Sequence, residues 1–286
     1  MTLGEYLEIG ERRFIDADIF LGHGTDNAWD EAVQLALYVL DMPPDSERSV
    51  LDTEVTADQG EAIMALFERR ITERIPAPYL TGWAWFCRMP FHVDKRVLVP
   101  RSPMGELIEK GFAPWLTREP ETILDLCCGS GCIGIAAAHR FPGARVVLAD
   151  ISADALVVAQ SNIELHEVGD RVHIVQSDGF ANITGRFDLV LCNPPYVDAA
   201  DLAAMPPEYR AEPELALASG DDGLDFTRRL IAEAGAYLTP AGILVGEVGH
   251  SWRALVSAFP NLRLEQVKLE HGGEGLYCVT RSQLPA

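Results

Sequence analysis

The sequence predicts a parallel α/β domain preceded by a small helical domain, and three observations carry that expectation. From Thr122 onward, short apolar runs alternate with helical patterns, the order of a parallel sheet covered on both faces. The first 76 residues carry helical apolar spacing instead. Between these parts lies a stretch of period-two alternation bounded by turn residues, which reads as a hairpin. The expected division is therefore 1–76 as a helical domain, 77–103 as a β-hairpin linker and 104–286 as the α/β domain.

Taken in order, Trp29, Val33, Leu37 and Leu40 form an apolar stripe at helical spacing, stopped by Pro43 and Pro44. A further helix begins at Thr56, with Gln59 in capping-box relation. Its stripe is Ile63, Leu66, Phe67, Ile71 and Ile75, and Pro76 stops it. In "FHVDKRVLVP" the period changes: Phe91, Val93, Val97 and Val99 alternate with more polar neighbours, as in a half-buried strand. "YLTGWAWFC" precedes it, and "RMP" is expected to make the turn. The domain boundary falls near residues 98–103.

"TILDLC" is the first strand of the second domain, followed by Gly129, Ser130, Gly131 and the small-residue helix "CIGIAAAHRF". "RVVLAD" ends in Asp150, and Ser152 caps the next helix, whose face is Leu156, Ala159 and Ile163. "VHIVQSD" and "FDLVLC" follow as strands, then an irregular segment from Asn193 to about Asp225. A helix from Phe226, the strand "GILVGEV", a helix from Ser251 and two last strands complete the chain.

Composition narrows the function. Of 286 residues 48% are hydrophobic, a globular share, and no run approaches the ~20 apolar residues of a membrane span. The amino terminus has early acids and no apolar core, unlike a signal peptide. Six scattered cysteines read as reduced thiols of a cytoplasmic protein. No C-x-x-C pair exists and His139, His166 and His173 lack ligand spacing, so no metal is expected. A net charge of −20 argues against a broad phosphate-binding face and suits a basic partner.

In parallel sheets ligands bind beyond the carboxyl ends of the strands, and Asp125, Asp150, Asp178 and Asn193 all fall at or near such ends. Gly129, Gly131 and Gly134 complete a G-x-G-x-x-G that opens a helix, with Asp150 about 20 residues on as a ribose-hydroxyl acceptor. This pair fits NAD or another adenosine-bearing cofactor. Asp178 can accept from an adenine amino group, with Phe180 packing on the base; an Asx turn is the plainer alternative. "NPPY" is more pointed. Two acceptors, the Asn193 side-chain oxygen and the Pro194 carbonyl, can grip a planar –NH2, Pro194 and Pro195 fix the backbone, and Tyr196 can stack on the planar group.

The combination of D-L-x-x-G-S-G, an acid at the second strand end and N-P-P-Y at the fourth resembles a class I S-adenosylmethionine-dependent methyltransferase, a Rossmann-like fold. "IPAPYLTGWAWFCRMPFHVDKRVLVPRSP" and "PPEYRAEPELALASGDDGLD" resemble the linker and post-motif loop of bacterial protein-(glutamine-N(5)) methyltransferases. The run Pro100, Arg101, Ser102, Pro103 followed by Gly105-Glu106-Leu107 is most similar to the branch acting on large ribosomal subunit protein L-three; the branch acting on peptide release factors comes second. The resemblance implies S-adenosyl-L-methionine as cofactor. It implies contacts to it from Asp125, Cys127, Cys128, Gly129, Ser130, Gly131, Asp150, Ile151, Asp178, Gly179, Phe180 and Asn193. It also implies that Asn193, Pro194, Pro195 and Tyr196 hold the glutamine amide, with Asn193, Pro194 and Tyr196 as the catalytic set. The helical domain is then expected to recognise the protein substrate.

Other classes fit less well. A DNA adenine methyltransferase shares N-P-P-Y but needs a basic recognition segment. A nicotinamide dehydrogenase shares the glycines and Asp150 but has no use for N-P-P-Y. Two features stay open in sequence: Glu247 in "GEVGHSW" is a supporting acid or a helix cap, and Asp221, Asp222 and Asp225 form a solvated loop or a contact for a basic substrate.

Overall fold

A computed structural model describes residues 1–270 and 274–285. The amino-terminal bundle comprises α1 (Leu3–Asp16), α2 (Ala28–Val39) and α3 (Ala57–Thr72). Each starts on a side-chain cap: Thr2 and Thr56 in full capping boxes with Glu5 and Gln59, and Asn27 on the Asp30 N–H. Leu7, Phe14, Leu35, Ile63 and Phe67 fill the core, and Phe14 meets Phe67 edge-on at 5.2 Å. The expected stripe on α2 is rotated. Trp29 and Val33 lie half-buried on its shoulder, whereas Ala28, Ala32, Leu35 and Ala36 face the core. Small residues let α1 and α2 approach closely, a signal that a search for large apolar side chains passes over.

Next come α4 (Ala77–Thr81), β1 (Trp83–Phe86) and β2 (Met89–His92). The hairpin turn is Cys87-Arg88, both at positive φ (48° and 61°), the handedness that matches strand twist. "RMP" is therefore not the turn: Met89 and Pro90 already pair with Phe86 and Trp85. The strand expected to run on through Val99 ends at His92, where the Asp94 carboxylate accepts the Arg96 N–H at 2.9 Å and folds the chain into a turn. Val93, Val97 and Val99 are nonetheless buried, against Ala155 and Val158. The alternation reported burial, not a ladder.

The second domain consists of α5 (Met104–Glu109), β3 (Thr122–Leu126), α6 (Cys132–Arg140), β4 (Arg145–Asp150), α7 (Ala153–Leu165), β5 (Val172–Gln176), β6 (Phe187–Cys192), α8 (Ala199–Ala204), α9 (Asp225–Tyr237), β7 (Leu238–Glu247), α10 (Trp252–Ala258), β8 (Glu265–Gln266) and β9 (Leu276–Thr280). The seven strands lie in the order β5-β4-β3-β6-β7-β9-β8, parallel from β5 to β7 and antiparallel at β9 and β8. Apolar cores cover both faces, which is why β6 is buried at every residue. The chain winds outward from β3 to β5, then returns to β6 on the other side. That reversal opens a crevice beyond the carboxyl ends of β3 and β6. The segment expected to be irregular contains α8 and two 3-10 turns, at Pro207–Ala211 and Glu214–Ala216.

Asn162 on α7 stitches the linker to this crevice. Its side chain accepts the His92 N–H at 2.7 Å and donates to the His92 and Ser130 carbonyls at 3.0 and 2.9 Å.

Candidate active site

Two cavities meet at the crevice. The first, of about 360 Å³, runs along the carboxyl ends of β3 and β4 and is lined by Cys127, Cys128, Gly129, Asp150, Ile151 and Phe226, among others. The second, of about 430 Å³, lies between the helical domain and the segment after β6, with Phe20, Tyr196, Met205 and Tyr209 in its walls. Asn193, Arg101, Leu98 and Ala216 line both.

The glycine turn after β3 is built from positive-φ residues at Cys127, Gly129 and Gly131, and Gly131 leads into α6. Asp150 organises it: one carboxylate oxygen accepts the Gly129 N–H at 2.9 Å and the other the Ser152 N–H at 2.9 Å. Burial raises this carboxyl above its ordinary range, against the pull of those N–H groups. Ser130 lines the cavity as well, while Gly131 shapes the turn.

Asp125 does not line either cavity. It is fully buried beneath α6, where it accepts the Gly134 N–H at 2.8 Å, and burial pushes its carboxyl up to about 8. Its other oxygen has no partner among the described residues. Its place is explained by the third glycine of the motif: a Cβ on Gly134 would lie 2.2 Å from the Leu148 side chain and 2.9 Å from Asp125. Phe180 is likewise displaced from its expected role. Only 2% exposed, it stacks on Tyr237 at 4.4 Å in the core, outside the cavity. Phe226, at the start of α9, supplies the aromatic wall instead, with the Arg229 guanidinium 5.9 Å above its ring. Asp178 and Gly179 do line the first cavity, and Asp178 is paired to Arg229 at 2.9 Å.

At the end of β6 the backbone divides between the cavities, Pro195 lining the first and Pro194 and Tyr196 the second. The Asn193 side-chain oxygen is buried and, among the described residues, accepts nothing. Such an oxygen costs about 1–3 kcal/mol unless a ligand satisfies it. Tyr196 is held on every side. Its hydroxyl donates to Glu247 at 2.9 Å, its carbonyl accepts from Ser251 at 3.3 Å, and a Cβ on Gly249 would lie 2.7 Å from its ring. Glu247, 4% exposed, also accepts the Ser102 hydroxyl at 2.5 Å, and burial raises its carboxyl. It is thus a supporting acid for Tyr196. Of the acidic run, Asp222 is paired with Arg228, as is Asp225 at 3.5 Å.

Sequence reading missed Arg101, Leu98 and Phe226. Arg101 stood beside the prolines of the linker, but only tertiary structure brings that linker over β3 and β6.

The family model for a methyltransferase small domain matches residues 112–205, which hold the glycine turn, Asp150 and Asn193. Among solved structures the chain is similar to the hMettl16 catalytic domain, determined in complex with a 3′UTR hairpin, at 15% identity with a TM-score of 0.52 over 84% of this chain and 90% of that one. That likeness shows the fold. Two relatives are much nearer. The ribosomal protein uL3 glutamine methyltransferase of Bordetella pertussis is 45% identical over 99% of this chain and 96% of its own length. That of Neisseria gonorrhoeae is 43% identical over 99% and 95%. These matches span the helical domain, the hairpin and the sheet, and by them the chain belongs to the family of ribosomal protein uL3 glutamine methyltransferases.

Proposed function

We propose that this protein methylates the side-chain amide nitrogen of a glutamine in ribosomal protein uL3. The observation that carries the reading is the buried Asn193 oxygen, without a partner among the described residues, at the boundary where Asn193, Arg101, Leu98 and Ala216 face both cavities.

S-adenosyl-L-methionine is the cofactor of this family, and the residues of the first cavity fit it. Asp150 and Asp178 offer acceptors for hydroxyl and amino hydrogens, Phe226 offers a ring face, and the glycine turn lets the backbone approach closely. When bound, it supplies a methyl group activated by a sulfonium.

An amide nitrogen is a weak nucleophile, since its lone pair is shared with the carbonyl. The protein's work is therefore orientation and charge stabilisation. Asn193 accepts one amide hydrogen through its side-chain oxygen and Pro194 accepts the other through its carbonyl. Both acceptors favour the positive charge that grows on nitrogen as the new bond forms. The rigid Pro194-Pro195 backbone fixes the second acceptor, and Glu247 fixes Tyr196, which walls the amide plane. After transfer the nitrogen is acidic enough to lose its proton to water, so no residue is assigned as a general base.

Incubation of the protein with labelled S-adenosylmethionine and, separately, purified uL3, a release factor and DNA tests this. Label is expected in uL3 on glutamine; label in the release factor or DNA alone, or in none, overturns it.

A further inference from the structure

The post-motif segment does more than wall the second cavity. Its 3-10 turn at Pro207–Ala211 carries Glu208, and Glu212 follows directly. Both carboxylates are wholly buried, and both are gripped by residues outside the segment. Glu208 accepts the Phe20 N–H at 3.0 Å and lies 3.2 Å from Arg74 and 3.5 Å from Arg70 of the helical domain. Arg70, itself buried, is held by Glu31 at 2.5 Å and by the Phe20 carbonyl at 2.7 Å. Glu212 binds Arg101 through both oxygens, at 2.6 and 2.7 Å, accepts the Val99 N–H at 3.1 Å, and lies 3.5 Å from the buried His23 of the helical domain. Arg101 in turn lies over the Tyr209 ring at 5.5 Å and lines both cavities.

A planar two-pronged ion pair fixes direction as well as distance. Breaking one partner leaves a buried charge unpaired, so the pair resists partial rearrangement. The chain of contacts therefore runs from the helical core, through Glu208 and Glu212, to the wall that Arg101 and Tyr209 make where the cavities join.

We propose, resting on the uL3 reading above, that Glu212 is a positioning residue: by clamping Arg101 against Tyr209 it ties the placement of the helical domain to the shape of the glutamine groove. The groove is then complete only when the helical domain is seated, which makes recognition of the substrate protein and alignment of its glutamine one event.

Glu212→Gln tests this in the full-length enzyme. The expected result is a rise of at least tenfold in KM for uL3, with kcat within threefold of the parent and the calorimetric affinity for S-adenosylhomocysteine within twofold. Faster amide exchange is expected in residues 98–102 and 206–217, not in α1 to α3. The paired variant Arg101→Met with Glu212→Met removes the charges together and serves where the single change fails to bind S-adenosylhomocysteine. Its KM is expected to stay at least tenfold high whatever its thermal midpoint. An unchanged KM in a variant that binds S-adenosylhomocysteine, or a KM that recovers with the thermal midpoint in the paired variant, overturns the proposal. If the parent itself fails to label uL3, the substrate reading fails instead, and unchanged amide exchange in Glu212→Gln then overturns the clamp on its own.

Discussion

Asn193 holds a buried oxygen that no described residue satisfies, whereas Asp150 holds two that backbone N–H groups satisfy. The difference separates their roles. Asn193→Ala removes an acceptor needed as charge develops, so kcat is expected to fall ~100-fold or more, the usual scale for one lost transition-state hydrogen bond. Affinity for S-adenosylhomocysteine should change less than threefold, and the thermal midpoint should not drop. Asp150→Ala should instead weaken that affinity at least tenfold, since the Gly129 turn loses its organiser. Equal losses of affinity in both variants, by calorimetry, would sink this division. Asp125 offers a different measurement. Its folded-state carboxyl, pushed up to about 8 by burial, holds its proton where an unfolded aspartic acid has lost it. The folded state therefore binds more protons between the ordinary aspartate range and about 8, and stability from this group, full at low pH, is lost as pH rises through that window. Asp125→Asn keeps an acceptor for Gly134 without the charge. Its stability relative to the parent is expected to grow from pH 5 to about 8 and then level, as read by urea denaturation; a difference that does not change with pH contradicts the assignment.

At the scale of elements, α6 against β4 sets how closely the glycine turn can approach a ligand. A Cβ on Gly134 would meet Leu148 at 2.2 Å, while one on Gly143, in the turn before β4, meets nothing within 4 Å. Gly134→Ala should then cost about 1–3 kcal/mol, the scale of an overpacked core, with the denaturant slope unchanged. Gly143→Ala is the control and should be nearly neutral; equal effects would mean the packing account is wrong. These elements also show what the sequence could and could not reveal. The inner parallel strands β3, β4, β6 and β7 were legible because strands buried on both faces must be continuous apolar runs, and Asn193 was legible because N-P-P-Y has no structural excuse. The turn at Cys87-Arg88 was hidden because its positive-φ residues are not glycine or asparagine. Phe180 was misplaced because its stacking partner Tyr237 lies 57 residues on; it packs there in the core, while Phe226 lines the cavity. Nothing in the sequence marks Glu208 and Glu212, because the arginines that pair with them lie more than a hundred residues away.

At the scale of the whole molecule, the excess of acid outlasts the internal pairing. The net charge is −20, and each internal glutamate–arginine pair removes one charge of either sign and leaves that excess unchanged. No helix among the described residues is long and apolar enough to cross a membrane. Asp201, exposed on α8, stands in the wall of the second cavity, where the groove opens toward an arriving protein. A field of this sign draws a basic partner from a distance but reaches only about 10 Å at 0.1 M salt. It acts on encounter more than on the bound geometry. Raising salt from 50 to 300 mM is therefore expected to raise KM for uL3 several-fold, while kcat and the affinity for S-adenosylhomocysteine stay within about twofold. Asp201→Asn should flatten that salt response without altering kcat. A KM for uL3 that ignores salt would place recognition in apolar contacts such as Phe20 and Met205 rather than in the field of the molecule.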